Sequence, residues 1–219
     1  MVEVSTSILT VPKDKIVKTI YNLEVAKTDY FHIDVMDGKF VESFTNEIME
    51  EYSGYIKSIS NIPLDVHLMV KDVKKYIDIY LNYEPNIITF HIEAVKNKEE
   101  AMDIIKYINS NNCKAGISIN PETKLSKIYD LLQYIHMVNI MTVVPGKGGQ
   151  PIIEETIDKI KSLKEYIDKN DIDIDIEADG GIKLDNVEKV KNAGANIIVS
   201  GSGIINSENY AEVIELMKK

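Results

Sequence analysis

Short apolar, β-branched runs alternate along this chain with longer stretches in which apolar residues recur every third or fourth position. The short runs read as strands over 3–9, 30–35, 64–69, 87–92, 114–119, 137–143, 172–178 and 196–200. Helical spacing is carried by Ile16/Ile20/Leu23, Val73/Tyr76/Tyr80, Ala101/Ile104/Ile105/Ile108 and Leu125/Ile128/Leu131/Leu132/Ile135. It continues in Ile157/Ile160/Leu163/Ile167 and Tyr210/Val213/Ile214/Met217, whereas 43–60 reads only weakly as a helix. Asp72 is placed to cap the third helix, and Asn120-Pro121 and Pro145-Gly146 mark sharp exits from strands. Eight βα units in 219 residues fit a (β/α)8 TIM barrel, one α/β domain over residues 1–219. An open doubly wound sheet uses the same alternation and also places ligands at the C-terminal ends of its strands.

A parallel strand covered on both faces should be apolar throughout. Several strands here break that rule near their C-terminal ends, always at alternate positions. His32, Asp34 and Met36 share one face, as do Asp65, His67 and Met69 on the next strand. His91 and Glu93 repeat the pattern, and Asp175, Glu177 and Asp179 alternate with Ile174, Ile176 and Ala178. The apolar faces would pack against helices, which turns the polar faces into the barrel. A single polar residue at a strand end is usually a satisfied structural group. Several charges buried together are costly unless they pair or bind a metal. Imidazoles and carboxylates in one cluster suit a borderline divalent ion such as Zn, Fe(II), Mn or Co.

Composition narrows the partners. A net charge of −10 argues against nucleic acid, whose phosphates need a basic face. No run approaches the roughly 18 consecutive apolar residues of a membrane span, and the N-terminus lacks a secretory pattern, so a cytoplasmic location is expected. The lone cysteine, Cys113, forms neither an intrachain disulfide nor a Cys-rich metal site. All 25 basic residues are lysine, so a bound phosphate must be held by lysine or by backbone N–H groups. Glycine-rich exits follow the last three strands: Gly146-Lys147-Gly148-Gly149, Gly180-Gly181 and Gly201-Ser202. Late barrel loops often form a phosphate site, and glycine lets N–H groups approach an anion.

At these residues the sequence resembles the ribulose-phosphate 3-epimerase family, over nearly its whole length and in family order. The shared motifs are Ser7-Ile8-Leu9, His-x-Asp-x-Met-Asp-Gly-x-Phe-Val at 32–41, Asp-x-His-Leu-Met at 65–69 and His91-x-Glu93. Met-Thr-Val-x-Pro-Gly-x-Gly-Gly-Gln at 141–150, Asp179-Gly180-Gly181 and Gly201-Ser202 complete the set. The resemblance implies a (β/α)8 barrel with one divalent metal on His32, Asp34, His67 and Asp179. It makes Asp34 and Asp179 the two acid/base residues, and so selects four residues from a cluster that also contains Asp65, His91 and Glu93. It further implies a phosphorylated ketose as substrate and places Ser7, His67, Met36, Met69 and Met141 around it. The phosphate falls to Gly146, Gly148, Gly149, Gly180, Gly181, Gly201 and Ser202. A homo-oligomer is the expected assembly.

The chemistry accounts for the selection. Epimerisation at C3 of a 2-keto sugar removes a proton α to a carbonyl and returns one to the opposite face. A carboxylate with an ordinary pKa near 4 is too weak a base without help. A divalent ion on the C2 and C3 oxygens closes that gap, and two carboxylates let one take a proton while the other gives one. The three methionines would form a soft apolar wall beside the planar intermediate.

Three departures from the family pattern surround the far end of the substrate. Glu42-Ser43 replaces Pro-Asn, Val144 stands where a polar residue is usual, and Lys147 replaces phenylalanine. The resemblance makes D-ribulose 5-phosphate to D-xylulose 5-phosphate the leading reaction, and these departures keep D-allulose 6-phosphate 3-epimerisation beside it. A related barrel aldolase or decarboxylase and a barrel that only binds are the readings from other classes.

Overall fold

The computed structural model describes residues 2–219. Eight parallel strands close into a barrel in chain order: β1 (Glu3–Ser7), β2 (Tyr30–Met36), β3 (Leu64–Met69), β4 (Ile87–His91), β5 (Lys114–Ile119), β6 (Met137–Met141), β7 (Asp175–Asp179) and β8 (Ile197–Ser200). The ring is sealed by β1 pairing with both β2 and β8, which excludes the open sheet. Outside it run α1 (Ile16–Val25), α2 (Asn46–Ile59), α3 (Val73–Tyr80), α4 (Lys98–Ser110), α5 (Glu155–Lys169), α6 (Val187–Ala193), the short α7 (Ser202–Ile205) and α8 (Tyr210–Lys218).

Strand parity divides the core. Ile33, Val35, Val66, Leu68, Ile88, Phe90, Val138, Ile140, Ile176 and Ala178 point outward into one continuous layer with the helix faces. Each fully buried aliphatic or aromatic side chain there contributes about 1.5–3 kcal/mol. Inside the barrel, Ile87, Met137 and Ile197 form a separate small plug at the N-terminal ends of their strands. Above that plug the inward face carries most of the buried polar residues, interrupted by Met36, Met69, Met141 and Val199, so the hydrophobic layer holds the ring while the interior is left for chemistry.

Several boundaries shift. β1 stops at Ser7, β6 at Met141, and β7 begins only at Asp175. The expected helix around Leu125–Ile135 is instead two 3-10 segments, Leu125–Lys127 and Tyr129–Tyr134. Their tighter i→i+3 pitch still buries Leu125, Ile128, Leu131 and Leu132 in the short path from β5 to β6. The weakly read 43–60 segment contains a full helix, α2, whose buried stripe Met49, Tyr52, Ser53, Ile56 is helical in spacing but polar in two members. Tyr52 is tolerated there because its hydroxyl donates to Val11 O at 2.8 Å. Asp72 caps α3 as expected, accepting from Lys75 N.

Candidate metal centre and active site

Register brings the polar strand ends together. Asp34 on β2 is the direct neighbour of His67 on β3, His32 pairs with Asp65, and Met36 with Met69. Across the ring, Met141 on β6 neighbours Asp179 on β7. His32 and His67 are fully buried, and Asp34 and Asp179 are only 6% and 7% exposed, at the mouth of the barrel.

Four atoms converge: His32 Nε2, His67 Nδ1, Asp34 Oδ1 and Asp179 Oδ2. His67 Nδ1 lies 3.1 Å from Asp179 Oδ2 and 3.5 Å from Asp34 Oδ1. His32 Nε2 lies 3.4 Å from Asp34 Oδ1 and 3.5 Å from Asp179 Oδ2. All four donor atoms lie within 4.8 Å of one another, close enough for one ion to reach each of them. His32 Nε2, His67 Nδ1 and Asp179 Oδ2 are moreover buried without a hydrogen-bond partner. Orphaned polar atoms of this kind are rare and call for an ion or a proton between them. The quartet therefore fits a divalent metal.

The electrostatics agree. Burial disfavours charge on His32 and His67, but the facing aspartates outweigh it and raise both pKa values above the ordinary one. Burial pushes Asp34 and Asp179 up, yet the two histidines hold Asp34 well below the carboxylate range and Asp179 at about 2. The carboxylates and imidazoles thus favour each other's charged forms, and a metal bound here would take the place of the histidine protons.

A second tier lies beneath. Asp65 Oδ2 accepts from His32 Nδ1 at 2.6 Å and from the Ser5 hydroxyl at 2.7 Å. Glu177, fully buried beside Asp65 and His32, is pushed well above its ordinary pKa by burial and by the Asp65 charge. Both causes favour its neutral form, while Asp65 is held low because His32 outweighs the cost of its burial. For an acid whose folded pKa is raised, stability falls as pH climbs from the unfolded pKa to the folded one. Glu177→Gln removes that loss. We expect the variant to gain on the wild type by up to about 1.4 kcal/mol per pH unit over that window. Urea melts at pH 5, 6, 7 and 8 measure the gap, and one that shrinks with pH refutes a protonated Glu177.

His91 also lies inside, its Nε2 2.8 Å from Nε2 of His67 and its Nδ1 3.3 Å from Glu93 Oε2. Burial, reinforced by His67, lowers its pKa to about 4 despite Glu93. Glu93 in turn is held at about 2, since His91, Thr123 and the Asn120 N–H outweigh its burial. The remaining histidine, His136, is exposed and stands outside the cluster.

Above the quartet opens one cavity. Ser7, Asp34, Met36, Met69, Met141 and Asp179 line it. Gly146, Lys147, Gly148, Gly149, Gly180, Gly181, Gly201 and Ser202 line the same cavity, whereas His67, also expected at the sugar, is fully buried and does not line it. Ser7 contacts Asp34 directly, donating from Oγ to Oδ2 at 2.7 Å. Gly181 has φ +69°, and a Cβ there would lie 2.7 Å from Gln150 O and Ile152 N, a conformation and approach that glycine alone accommodates. The first N–H groups of α7 have no intrahelical acceptor and open beside Gly201.

Sequence reasoning left two supports unassigned. Asp37 accepts from the N–H groups of Lys39, Phe40 and Lys71, at 2.8, 2.8 and 2.7 Å, joining the loops after β2 and β3. Its signal was the Asp-Gly turn pair. Thr45 donates to Asp34 O at 2.6 Å and accepts from Met36 N at 2.9 Å, locking the end of β2. Nothing local in the sequence marks that contact. Among the described residues no helix is long and apolar enough to cross a membrane.

Comparison with known proteins bears on the same residues. The ribulose-phosphate 3 epimerase family model matches residues 3–205. The ribulose-phosphate 3-epimerase of Escherichia coli (strain K12) is 37% identical over 197 residues, 88% of this chain and 84% of that protein. The Buchnera aphidicola (subsp. Acyrthosiphon pisum) protein of the same name is 39% identical over 198 residues, 89% and 83% of the two chains. Among solved structures, a 3-hexulose-6-phosphate synthase superposes with a TM-score of 0.72 over 99% of this chain and 98% of the other. At 12% identity it speaks for the fold alone. With the fold, the buried His/Asp quartet and the match over 3–205 in agreement, the chain belongs to the ribulose-phosphate 3-epimerase family.

Proposed function

We propose that the protein interconverts D-ribulose 5-phosphate and D-xylulose 5-phosphate, with Asp34 and Asp179 as the proton-transfer pair. The observation that carries this reading is the convergence of two carboxylates and two imidazoles at a cavity that the glycine-rich strand exits also line. The curated relatives' names supply the substrate.

His32, Asp34, His67 and Asp179 would hold one divalent ion, for which Zn, Fe(II), Mn and Co suit the donor set. When bound, such an ion would supply Lewis-acid stabilisation of the negative charge that develops on the sugar. Asp34 and Asp179 stand on strands separated by β1 and β8, so they address the bound sugar from different sides. One takes the C3 proton, and the other delivers a proton to the opposite face. Ser7 holds Asp34 Oδ2 and so orients that carboxylate. Met36, Met69 and Met141 exclude water from the reacting carbon. Backbone N–H groups of the exits at Gly146–Gly149, Gly180–Gly181 and Gly201–Ser202 receive the phosphate, in keeping with a chain without arginine.

D-allulose 6-phosphate remains as a second substrate because Val144 and Lys147 line an outer cavity with Val41 and Glu42, where a longer sugar would extend. Coupled assays on both compounds decide the matter. At least a tenfold higher kcat/KM for the pentulose phosphate is expected, and a smaller preference overturns the choice. A homo-oligomer is consistent with Val17, Tyr21 and Val25, exposed on successive turns of α1; a purely monomeric sedimentation profile would remove it.

A further inference from the structure

His91 and Glu93 share the inward face with the metal quartet, yet neither is needed as a ligand or an acid/base group. Their geometry gives them a different task. The two candidate histidine ligands present different ring nitrogens, Nε2 for His32 and Nδ1 for His67. A ligating nitrogen must carry a lone pair, so each neutral ring keeps its hydrogen on the other nitrogen. For His32 that is Nδ1, which donates directly to Asp65 at 2.6 Å. For His67 it is Nε2, which faces not a carboxylate but Nε2 of His91 at 2.8 Å.

Two imidazole nitrogens at that distance share a single hydrogen. The ring centroids are 5.0 Å apart with planes inclined by 22°, so the rings meet edge to edge. If His67 donates, His91 Nε2 must accept, and the His91 hydrogen must sit on Nδ1. There it meets Glu93 Oε2 at 3.3 Å. Glu93 is anchored through its other oxygen, which accepts from Asn120 N at 2.9 Å and from the Thr123 hydroxyl. That loop is clamped by Lys159, whose Nζ donates to the carbonyls of Asn120, Pro121 and Thr123 at 2.9, 2.5 and 2.8 Å. Phe40 packs against the His91 ring, with centroids 4.9 Å apart. Every donor in the chain from Glu93 through His91 to His67 has one acceptor, and the order runs in one direction only.

We propose that His91 and Glu93 are positioning residues that hold His67 in the tautomer with its lone pair on Nδ1, and thereby set the affinity of the quartet for its metal. Outer partners of ligating histidines commonly change metal affinity by about 10–100-fold. The inference rests on the metal-binding reading above. Zinc titration of the wild type by calorimetry separates the two, since absence of binding sinks both, whereas binding unaffected by His91 sinks only this one.

Zinc and cobalt affinities are measured for His91→Leu, His91→Gln and Glu93→Gln, each checked for a cooperative melt. His91→Leu leaves the His67 N–H without an acceptor and is expected to weaken binding by at least about tenfold. His91→Gln restores an acceptor and is expected to recover most of that loss, which an effect of cavity or packing alone would not do. Glu93→Gln keeps an acceptor for His91 Nδ1–H without the charge and is expected to fall between them. Should His91→Leu fail to fold, long-range 15N–1H spectra of the zinc-loaded wild type carry the test. They are expected to show His67 ligating through Nδ1 with hydrogen on Nε2. Zinc on Nε2 of His67, a His91→Leu affinity within threefold of wild type, or a folded His91→Gln no better than His91→Leu would each overturn the proposal.

Discussion

Asp34→Asn and Asp179→Asn are each expected to abolish conversion of ribulose 5-phosphate to xylulose 5-phosphate, by at least about a thousandfold, at saturating metal. The reason is chemical: an amide can neither take the C3 proton nor return one. Asn has the same shape as Asp, and neither position contributes to the hydrophobic layer between strands and helices, so a cooperative melt is expected for both variants. The two losses should differ in kind. If each aspartate serves one face of the sugar, a variant lacking one still has the other. Deuterium from solvent should then wash into C3 of one epimer without conversion, and into the opposite epimer for the other variant. Conversion and wash-in are read together by NMR. Near-normal conversion by either variant removes that residue from the pair. Conversion at metal concentrations below saturation is uninformative, because each substitution also takes one donor from the quartet.

Stripping the metal with a chelator is the second large effect. It should remove activity and lower the melting temperature, both restored by Zn, Mn, Co or Fe(II). A ligand at 1,000 times its Kd stabilises by about 4 kcal/mol. For a chain of this size each kcal/mol moves the midpoint by about 2–4 °C, so a drop of roughly 10 °C is expected. The gap should also depend on pH. In the stripped protein His32 and His67 have raised pKa values, so their contribution to stability is complete at low pH and is lost as pH rises through those values. Protons that leave these nitrogens at higher pH no longer compete with the metal. Both effects widen the difference between loaded and stripped protein as pH rises above the ordinary histidine pKa of about 6.5. Calorimetric scans at pH 6, 7 and 8 with and without chelator measure it, and a constant or shrinking gap contradicts the assignment of both histidines.

Alternation of short apolar runs with helical stripes was enough to read eight βα units, because hydrophobic periodicity is a local property of the chain. The same periodicity located His32, Asp34, His67, His91, Glu93 and Asp179, since a polar residue on an otherwise apolar strand stands out by its parity alone. It erred where tertiary context outweighs propensity. The stretch around Leu125–Ile135 has helical spacing but forms 3-10 turns between β5 and β6. The helix within 43–60 looked weak because two of its buried positions are Tyr52 and Ser53.

Resemblance to a family then selected four residues from the polar cluster, a step that parity could not make. Asp65, His91 and Glu93 have the same parity as the quartet and, like it, are imidazoles and carboxylates. What separates them is distance and direction. His32 and His67 turn unpartnered nitrogens toward Asp34 and Asp179, while Asp65 and His91 stand behind those rings and take up their remaining hydrogen.

By itself, then, the sequence determined the repeating unit, the inward placement of the charged residues and the glycine-rich exits, each of which depends on neighbours a few positions away. Tertiary structure alone decided the closure of β8 onto β1 and the choice of ring nitrogen on each histidine. It alone also showed the support given by Thr45, Asp37 and Glu93 to residues that are distant in the chain. Register between strands and the direction of a hydrogen bond arise only when separate segments meet, and no local pattern encodes them.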